Sequence, residues 1–443
     1  MNIGVVMYFQ RFKSKDLERW KNNENRLPMI IKGARQTGKT FLVNEFGKNF
    51  SNFFELNFQK DKLIHDFFIS DNRPSKIVEK LEIYLKKKIN MTEDLIFFDE
   101  IQDCPEALNS LKYFAEEYPQ SCIIGAGSLL GLYLSQHTFP VGKVQFETLY
   151  PMSFAEYLQA KNESNLALAL HNFDSSKIED IKLINSFHGY LLDLLKEFFI
   201  VGGMPKVVST FLETKNVLSA REVQLALLTS YQADFAKFSG PLDALKIFSV
   251  FENIPKQLAK DNRKFQFNLL KKGSRYNEFS SCIDWLTAAG LVYKVPILNH
   301  VEIPLKTCQQ ENIFKLYLFD VGLLGALSEL PLEAFMYEGS LFKTFKGAFS
   351  ENFFLQEFRS NRSESFYSWL GKTSEIDFLF QDEIKMNFWP IEVKSGESGK
   401  LKSLNVFCEI YSLMWKTRCS ARALEINEQA QFRNFPLYLA GKV

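Results

Sequence analysis

Residues Gly33 to Thr40 read Gly-Ala-Arg-Gln-Thr-Gly-Lys-Thr, and no other stretch restricts the fold as strongly. The pattern is Gly, four residues, then Gly-Lys-Ser/Thr, the spacing of a phosphate-binding loop. Gly33 and Gly38 let the backbone wrap an anion with its N–H groups inward, and Ala34, Arg35, Gln36 and Thr37 complete the cradle. A helix beginning near Gly38 turns its positive end toward the same anion. Lys39 can reach the β- and γ-phosphates, and the Thr40 hydroxyl can ligate Mg²⁺. The flanks agree with this reading. Leu27 to Ile31 is a short apolar run suited to a buried strand, and Thr40 to Phe46 carries apolar residues at helical spacing.

The second half of such a site lies at Leu95-Ile-Phe-Phe-Asp-Glu100, an apolar strand ending in two carboxylates. The strand would deliver Asp99 to the Mg²⁺ shell and Glu100 to an attacking water. Ser121 to Ser128 reads as a further buried strand. Ser128 at its end would sense the γ-phosphate or orient water, with a plain strand-end turn as the structural alternative. Phe53 to Phe58 alternates like a strand, residues 74–90 carry a helical stripe, and residues 8–26 form an amphipathic opening helix. The alternation of strands and helices over 27–160 predicts a parallel sheet flanked by helices.

The 443 residues are enough for two to four domains. A net charge of +1 exerts no global pull on nucleic acid, so any basic groove must be local. The six cysteines form no Cys-x-x-Cys pair and do not cluster with the five histidines, which argues against zinc and a disulfide framework and for a reducing cytoplasm. Arg11 and Lys13 follow the first apolar residues, the wrong order for a signal peptide. No apolar run reaches membrane-spanning length, so no membrane partner is expected.

Residues 160–260 read as a mostly helical connector interrupted at Gly202-Gly203 and Pro205. Residues 245–306 predict a winged helix: helices near 245–260, 265–272 and 276–289, then a wing strand from Leu291 to Leu298. Lys256, Lys260, Arg263, Lys264, Lys271, Lys272 and Arg275 give it local positive charge suited to DNA phosphates, a solvated helix face being the alternative. In the last hundred residues Glu351 lies on a helical stretch, Asp377 on one strand, and Glu392 with Lys394 on the next, two apart and so on the same face. This is the layout of PD-(D/E)xK nucleases. The three carboxylates would converge on one Mg²⁺ or Mn²⁺, and Lys394 would position or deprotonate a water. Residues 400–413, with Lys400 and Lys402 near the start, fit the following helix.

Ile31 to Thr40, Phe98-Asp-Glu-Ile-Gln102, Gly127-Ser128 and Tyr150-Pro-Met-Ser-Phe-Ala-Glu-Tyr157 resemble the AAA+-type ATPases of prokaryotes that carry a C-terminal domain of unknown function. Gly202-Gly-Met-Pro205, Lys315 to Leu323 and Ile391-Glu-Val-Lys394 are similar to the rest of that family. The resemblance implies ATP as the nucleotide. One position departs from the family: where it usually has Gly-Arg, a candidate arginine finger, this chain has Gly142-Lys143. Lysine lacks the planar fork, so Lys143 either acts as a point charge from a neighbouring subunit of a homo-oligomer or has no finger role.

The expected architecture is α/β: a P-loop NTPase domain with a parallel sheet and flanking helices (1–160), a helical connector or lid (161–240), a winged-helix-like domain (241–310) and a restriction-endonuclease-like α/β domain (311–443). The expected function is ATP hydrolysis coupled to nucleic-acid handling, with cleavage open. The alternative is a nucleotide-switched regulator or adaptor whose C-terminal domain binds a partner without cutting.

Overall fold

The computed structural model describes residues 9–128, 130–131, 142–260, 263–334, 343–362, 364–382, 386–397 and 401–443. Residues 10–150, together with 288–290, form one compact unit, and residues 151–287 and 291–443 form another.

The first unit is a five-stranded sheet of β1 (Met29–Lys32), β2 (Phe53–Asn57), β3 (Leu95–Asp99), β4 (Ile123–Ala126) and β5 (Gln145–Thr148), in the order β2-β3-β4-β1-β5. Every pairing is parallel. Parallel strands need crossovers, and here helices supply most of them: α1 (Ser14–Lys21) precedes β1, α2 (Lys39–Gly47) follows it, α3 (Leu63–Ile69) and α4 (Pro74–Leu85) join β2 to β3, and α5 (Pro105–Glu117) follows β3. Side-chain alternation divides each strand between two cores. Ile30, Ile96 and Phe98 enter one, while Met29, Ile31, Leu95 and Phe97 enter the other. Both faces of β3 are therefore covered, which is why it is apolar along its length until Asp99. Phe98 meets Phe58, Phe68 and Phe114 edge-on, with centroids 5.7, 5.5 and 6.4 Å away. Each such buried ring contributes about 1.5–3 kcal/mol of apolar transfer.

In the second unit, helices α6 (Phe154–Ala160), α7 (Ser164–His171), α8 (Ile178–Ser186), α9 (His188–Val201), α10 (Pro205–Thr214), α11 (Val217–Ser239) and α12 (Pro241–Leu258) come first. The Pro-Met-Ser-Phe-Ala-Glu stretch is a helix start: Ser153 Oγ accepts the Glu156 N–H, and the Glu156 carboxylate accepts the Ser153 N–H at 3.0 Å. The Gly202-Gly203 break is also architectural. The Met152 N–H donates to the Gly203 carbonyl at 2.7 Å, and a Cβ on Gly203 would lie 2.1 Å from the Met152 oxygen. Asp320, wholly buried, accepts the Gly203 and Leu323 N–H groups at 2.7 and 2.9 Å.

Beyond α12 the expected helix over 265–272 is replaced by extended chain with one 3₁₀ turn, Phe267–Leu269. The backbone there is claimed by other partners. The Phe265 N–H bonds the Phe314 carbonyl, and the Gln257 amide takes both the N–H and the carbonyl of Gln266. Helix α13 (Tyr276–Ala288) and the antiparallel pair β6 (Val292–Leu298) and β7 (Phe314–Leu318) follow. Next come α14 (Val321–Leu327), α15 (Lys343–Asn361), β8 (Phe366–Leu370), β9 (Glu375–Gln381), β10 (Phe388–Val393), α16 (Lys402–Ile410), β11 (Lys416–Ser420), β12 (Glu425–Asn427) and β13 (Phe432–Pro436). Lys400, expected near the start of α16, lies outside the described residues. The strands form one mixed eight-stranded sheet, β12-β13-β11-β10-β9-β8-β6-β7, in which β6 pairs with β8 as well as with β7. All six cysteines are buried and free, and no described helix is long and apolar enough to cross a membrane.

Candidate nucleotide site and C-terminal charge cluster

In a parallel sheet every strand ends on the same edge, so the chain that follows β1, β3 and β4 gathers there. The loop from Gly33 to Gly38 leaves β1 at that edge. Gly33 adopts φ +150°, and a Cβ on it would stand 2.2 Å from the Leu149 oxygen, so only glycine fits. Gly38, at φ +95°, caps α2 and leaves the helix's first N–H groups facing the loop. Within the loop Thr37 Oγ1 donates to the Ala34 carbonyl at 3.0 Å. Lys39 is folded back, its ammonium donating to the Gly33 and Ala34 carbonyls at 2.9 and 2.8 Å. Burial lowers its pKa to about 8, against the opposing pull of Glu100 and Asp99. It is a buried cation held by the loop's own carbonyls.

Thr40 and Asp99 meet directly, the hydroxyl donating to Asp99 Oδ1 at 3.1 Å. Burial, then the adjacent Glu100 charge, raise the Asp99 carboxyl to about 6. A hydroxyl and a carboxylate side by side in a half-dry site are the oxygen donors that Mg²⁺ selects, so the donor set fits that ion. Glu100 follows β3 in left-handed backbone, φ +51°, and its Oε2 accepts the Gln102 side-chain N–H at 2.6 Å. Ser128 is half-buried just past β4, on the same edge. Lys143 is elsewhere. It precedes β5, hence sits at the opposite edge of the sheet, and its Nζ lies 3.3 Å from Glu116 Oε1.

Three residues of this site carry no role that the sequence alone assigns. Asn57, at the end of β2, donates to Asp99 Oδ2 at 2.9 Å. Gln102 holds Glu100. Arg11 is buried and donates to the Thr37 carbonyl at 2.9 Å and the Tyr150 carbonyl at 2.7 Å, bracing the loop from outside. For Asn57, a polar residue at the end of an apolar strand is a readable signal. Arg11 has none, because in sequence it resembles any charge on an amphipathic helix.

In the second unit Asp377 on β9 lies across from Glu392 on β10, since Phe378 pairs with Ile391 in antiparallel register. The Lys394 ammonium is 2.7 Å from Glu392 Oε1 and also feels the charges of Asp377 and Glu351. Burial resists that ammonium, but the carboxylates outweigh it and raise its pKa. Glu351, buried on α15, has both oxygens engaged: Oε1 with Arg263 Nη1 at 2.5 Å, and Oε2 accepting the Tyr317 hydroxyl at 2.8 Å. Asp377 Oδ2 accepts the Val393 N–H at 2.8 Å. Glu351, Asp377 and Glu392 thus do not form the expected three-carboxylate shell. Among the described residues no three Asp, Glu, His or Cys side chains are arranged to hold a metal ion. Protein groups engage each of the three instead: Arg263 and Tyr317 hold Glu351, the Val393 N–H holds Asp377, and Lys394 holds Glu392.

Comparison with known proteins bears on these parts separately. Residues 25–158 match the AAA domain family. Residues 192–334 and 346–437 match two domains of unknown function, DUF8612 and DUF4143. No curated protein matches the chain. Among solved structures, the Walker-type ATPase PABY2304 of Pyrococcus abyssi is similar at 15% identity over 72% of this chain and 96% of that one, with a TM-score of 0.45. The Aeropyrum pernix ORC1 protein, solved in complex with DNA, is similar at 13% identity over 76% and 97%, with a TM-score of 0.31. Residues 25–158 therefore constitute a P-loop domain of the AAA type.

Proposed function

We propose that this chain binds and hydrolyses ATP at the edge formed by residues 33–40, 57 and 99–102, and that the nucleotide state controls a C-terminal part that contacts nucleic acid without cutting it. The observation that carries the ATPase reading is the convergence at one sheet edge of a buried ammonium, a hydroxyl–carboxylate pair and a second, separately held carboxylate. Lys39 would exchange its two carbonyl partners for phosphate oxygens, and Thr40 and Asp99 would hold Mg²⁺. When bound, that ion neutralises charge on the β- and γ-oxygens. Glu100 would accept the proton of the attacking water, with Gln102 fixing its orientation. Ser128, just past β4 on the same edge, would sense the γ-phosphate. Lys143 could serve as a finger only in a neighbouring copy, because its own edge of the sheet faces away from the loop, so a homo-oligomer fits that role.

The parts proposed are an ATP-binding domain (1–160), a helical connector (161–240), a winged-helix-like segment (241–310) and the α/β domain of the mixed sheet (311–443). Lys256, Lys260, Lys271, Lys272 and Arg275 are exposed in the third part and form no ion pair among the described residues. Such exposed cations would engage a phosphate backbone through counterion release. The compensated carboxylates near Lys394 favour contact over cleavage. Six buried, reduced cysteines fit a cytoplasmic setting.

The test is steady-state ATP turnover with and without DNA, run beside gel analysis of the DNA. Turnover stimulated by DNA that keeps its length is expected. No turnover under any condition would remove the ATPase reading. Stimulation accompanied by strand breaks lost in Asp377→Asn would remove the non-cutting one.

A further inference from the structure

Four carboxylates and four cations meet at the C-terminal sheet and helix α15. Glu375 and Asp377 come from β9, Glu392 from β10 and Glu351 from α15. Against them stand Arg263, Lys315 on β7, Lys394 and Arg418 on β11. The pairings are specific. Arg263 takes Glu351, the wholly buried Lys315 lies 2.5 Å from Glu375, Lys394 takes Glu392, and Arg418 lies opposite Glu392 in the parallel register of β10 and β11. The positive and negative groups are equal in number, although Lys394 and Arg418 both stand beside Glu392 while Asp377 is held by the Val393 N–H. Arg263 does not belong to the sheet. It follows α12, in left-handed backbone at φ +48°, and its guanidinium lies across Gly347, one helical turn before Glu351.

We propose that Arg263 is the resident cation of this cluster, and that the C-terminal unit holds no divalent metal while Arg263 is seated against Glu351. Mg²⁺ binds through one or two carboxylates and keeps several waters, so it needs carboxylates whose charge no protein cation already neutralises. Here both Glu351 oxygens, one Asp377 oxygen and one Glu392 oxygen are taken, and Glu392 Oε2 is the acid oxygen of these three that is buried without a partner. A dication added to a cluster already neutral would surrender its hydration without a net negative field to replace it. Arginine is suited to the place because it stays charged when buried and spreads that charge over a planar fork. The guanidinium therefore does two things: it compensates Glu351 and ties the 263 segment to α15.

Mn²⁺ binding to the nucleotide-free full chain, followed by the EPR signal of free ion, tests this independently of the ATP reading. Wild type, Asp377→Asn and Glu351→Gln should bind the same number of ions, because any ion held by Thr40 and Asp99 is common to all three. Arg263→Met should gain one site, and Asp377→Asn on that background should remove it. One ion more in wild type than in Asp377→Asn would overturn the proposal. A folded Arg263→Met chain with no gained site would overturn Arg263 as the occupant. Should Arg263→Met fail to fold, the comparison of wild type with Asp377→Asn decides alone.

Discussion

Glu357 is a buried carboxyl with no part in either cluster, and it sets a pH dependence that can be worked out in advance. It projects from α15 and accepts the Phe154 N–H, at the start of α6, at 2.8 Å. Burial raises its pKa from 4.5 to about 8; the Phe154 hydrogen bond opposes this, and the Glu156 charge adds to it. The folded chain thus holds a proton that the unfolded chain releases near 4.5. Stability from this group is fully present below that pH and is lost as pH rises through about 8, at about 1.4 kcal/mol per pH unit. By pH 7 the loss is about 3 kcal/mol, an upper figure because local relaxation admits water. Glu357→Gln keeps an oxygen for the Phe154 N–H and removes the titration. In urea unfolding from pH 5 to pH 8.5, the variant should match wild type near pH 5 and exceed it progressively above pH 6. Other buried acids, such as Asp320 at about 6, titrate in both proteins and cancel in the difference. A stability difference independent of pH, or a variant weaker than wild type at pH 8, would refute the reasoning.

Lys39→Ala should weaken ATP binding by about 10- to 100-fold in calorimetry, the scale of one to two charge-assisted hydrogen bonds; unchanged affinity would remove the loop assignment. Glu100→Gln should leave ATP affinity within about twofold and reduce turnover about 10²- to 10⁴-fold, the range for a lost general base. Gln102→Ala should lower kcat about tenfold without altering ATP affinity, since it frees a correctly charged Glu100 to rotate; a loss of affinity instead would make Gln102 a structural support of the loop. Lys143→Ala should lower turnover only at concentrations where chains associate, and a loss at high dilution would contradict its place at the far edge of the sheet.

The candidate nucleotide site is legible in the sequence because its residues are local. Eight consecutive residues make the loop, and a strand-terminal Asp-Glu makes its partner; parallel pairing then brings the two ends together with no further information. The same holds for the same-face placement of Glu392 and Lys394, a consequence of strand periodicity. What sequence cannot decide is which groups at a distance claim those side chains. Arg11 beneath the loop, Asn57 and Gln102 around the two carboxylates, and the exchange of a helix at 265–272 for extended chain all depend on partners supplied by tertiary packing. The C-terminal cluster shows this most sharply. Its carboxylates have the spacing of a metal site, yet Arg263 and Tyr317 arrive from other elements and take both oxygens of Glu351, while Lys315 pairs with the neighbouring Glu375. Spacing along a chain determines which side chains can share a face, but the charge they meet there is determined only by what the fold packs against it.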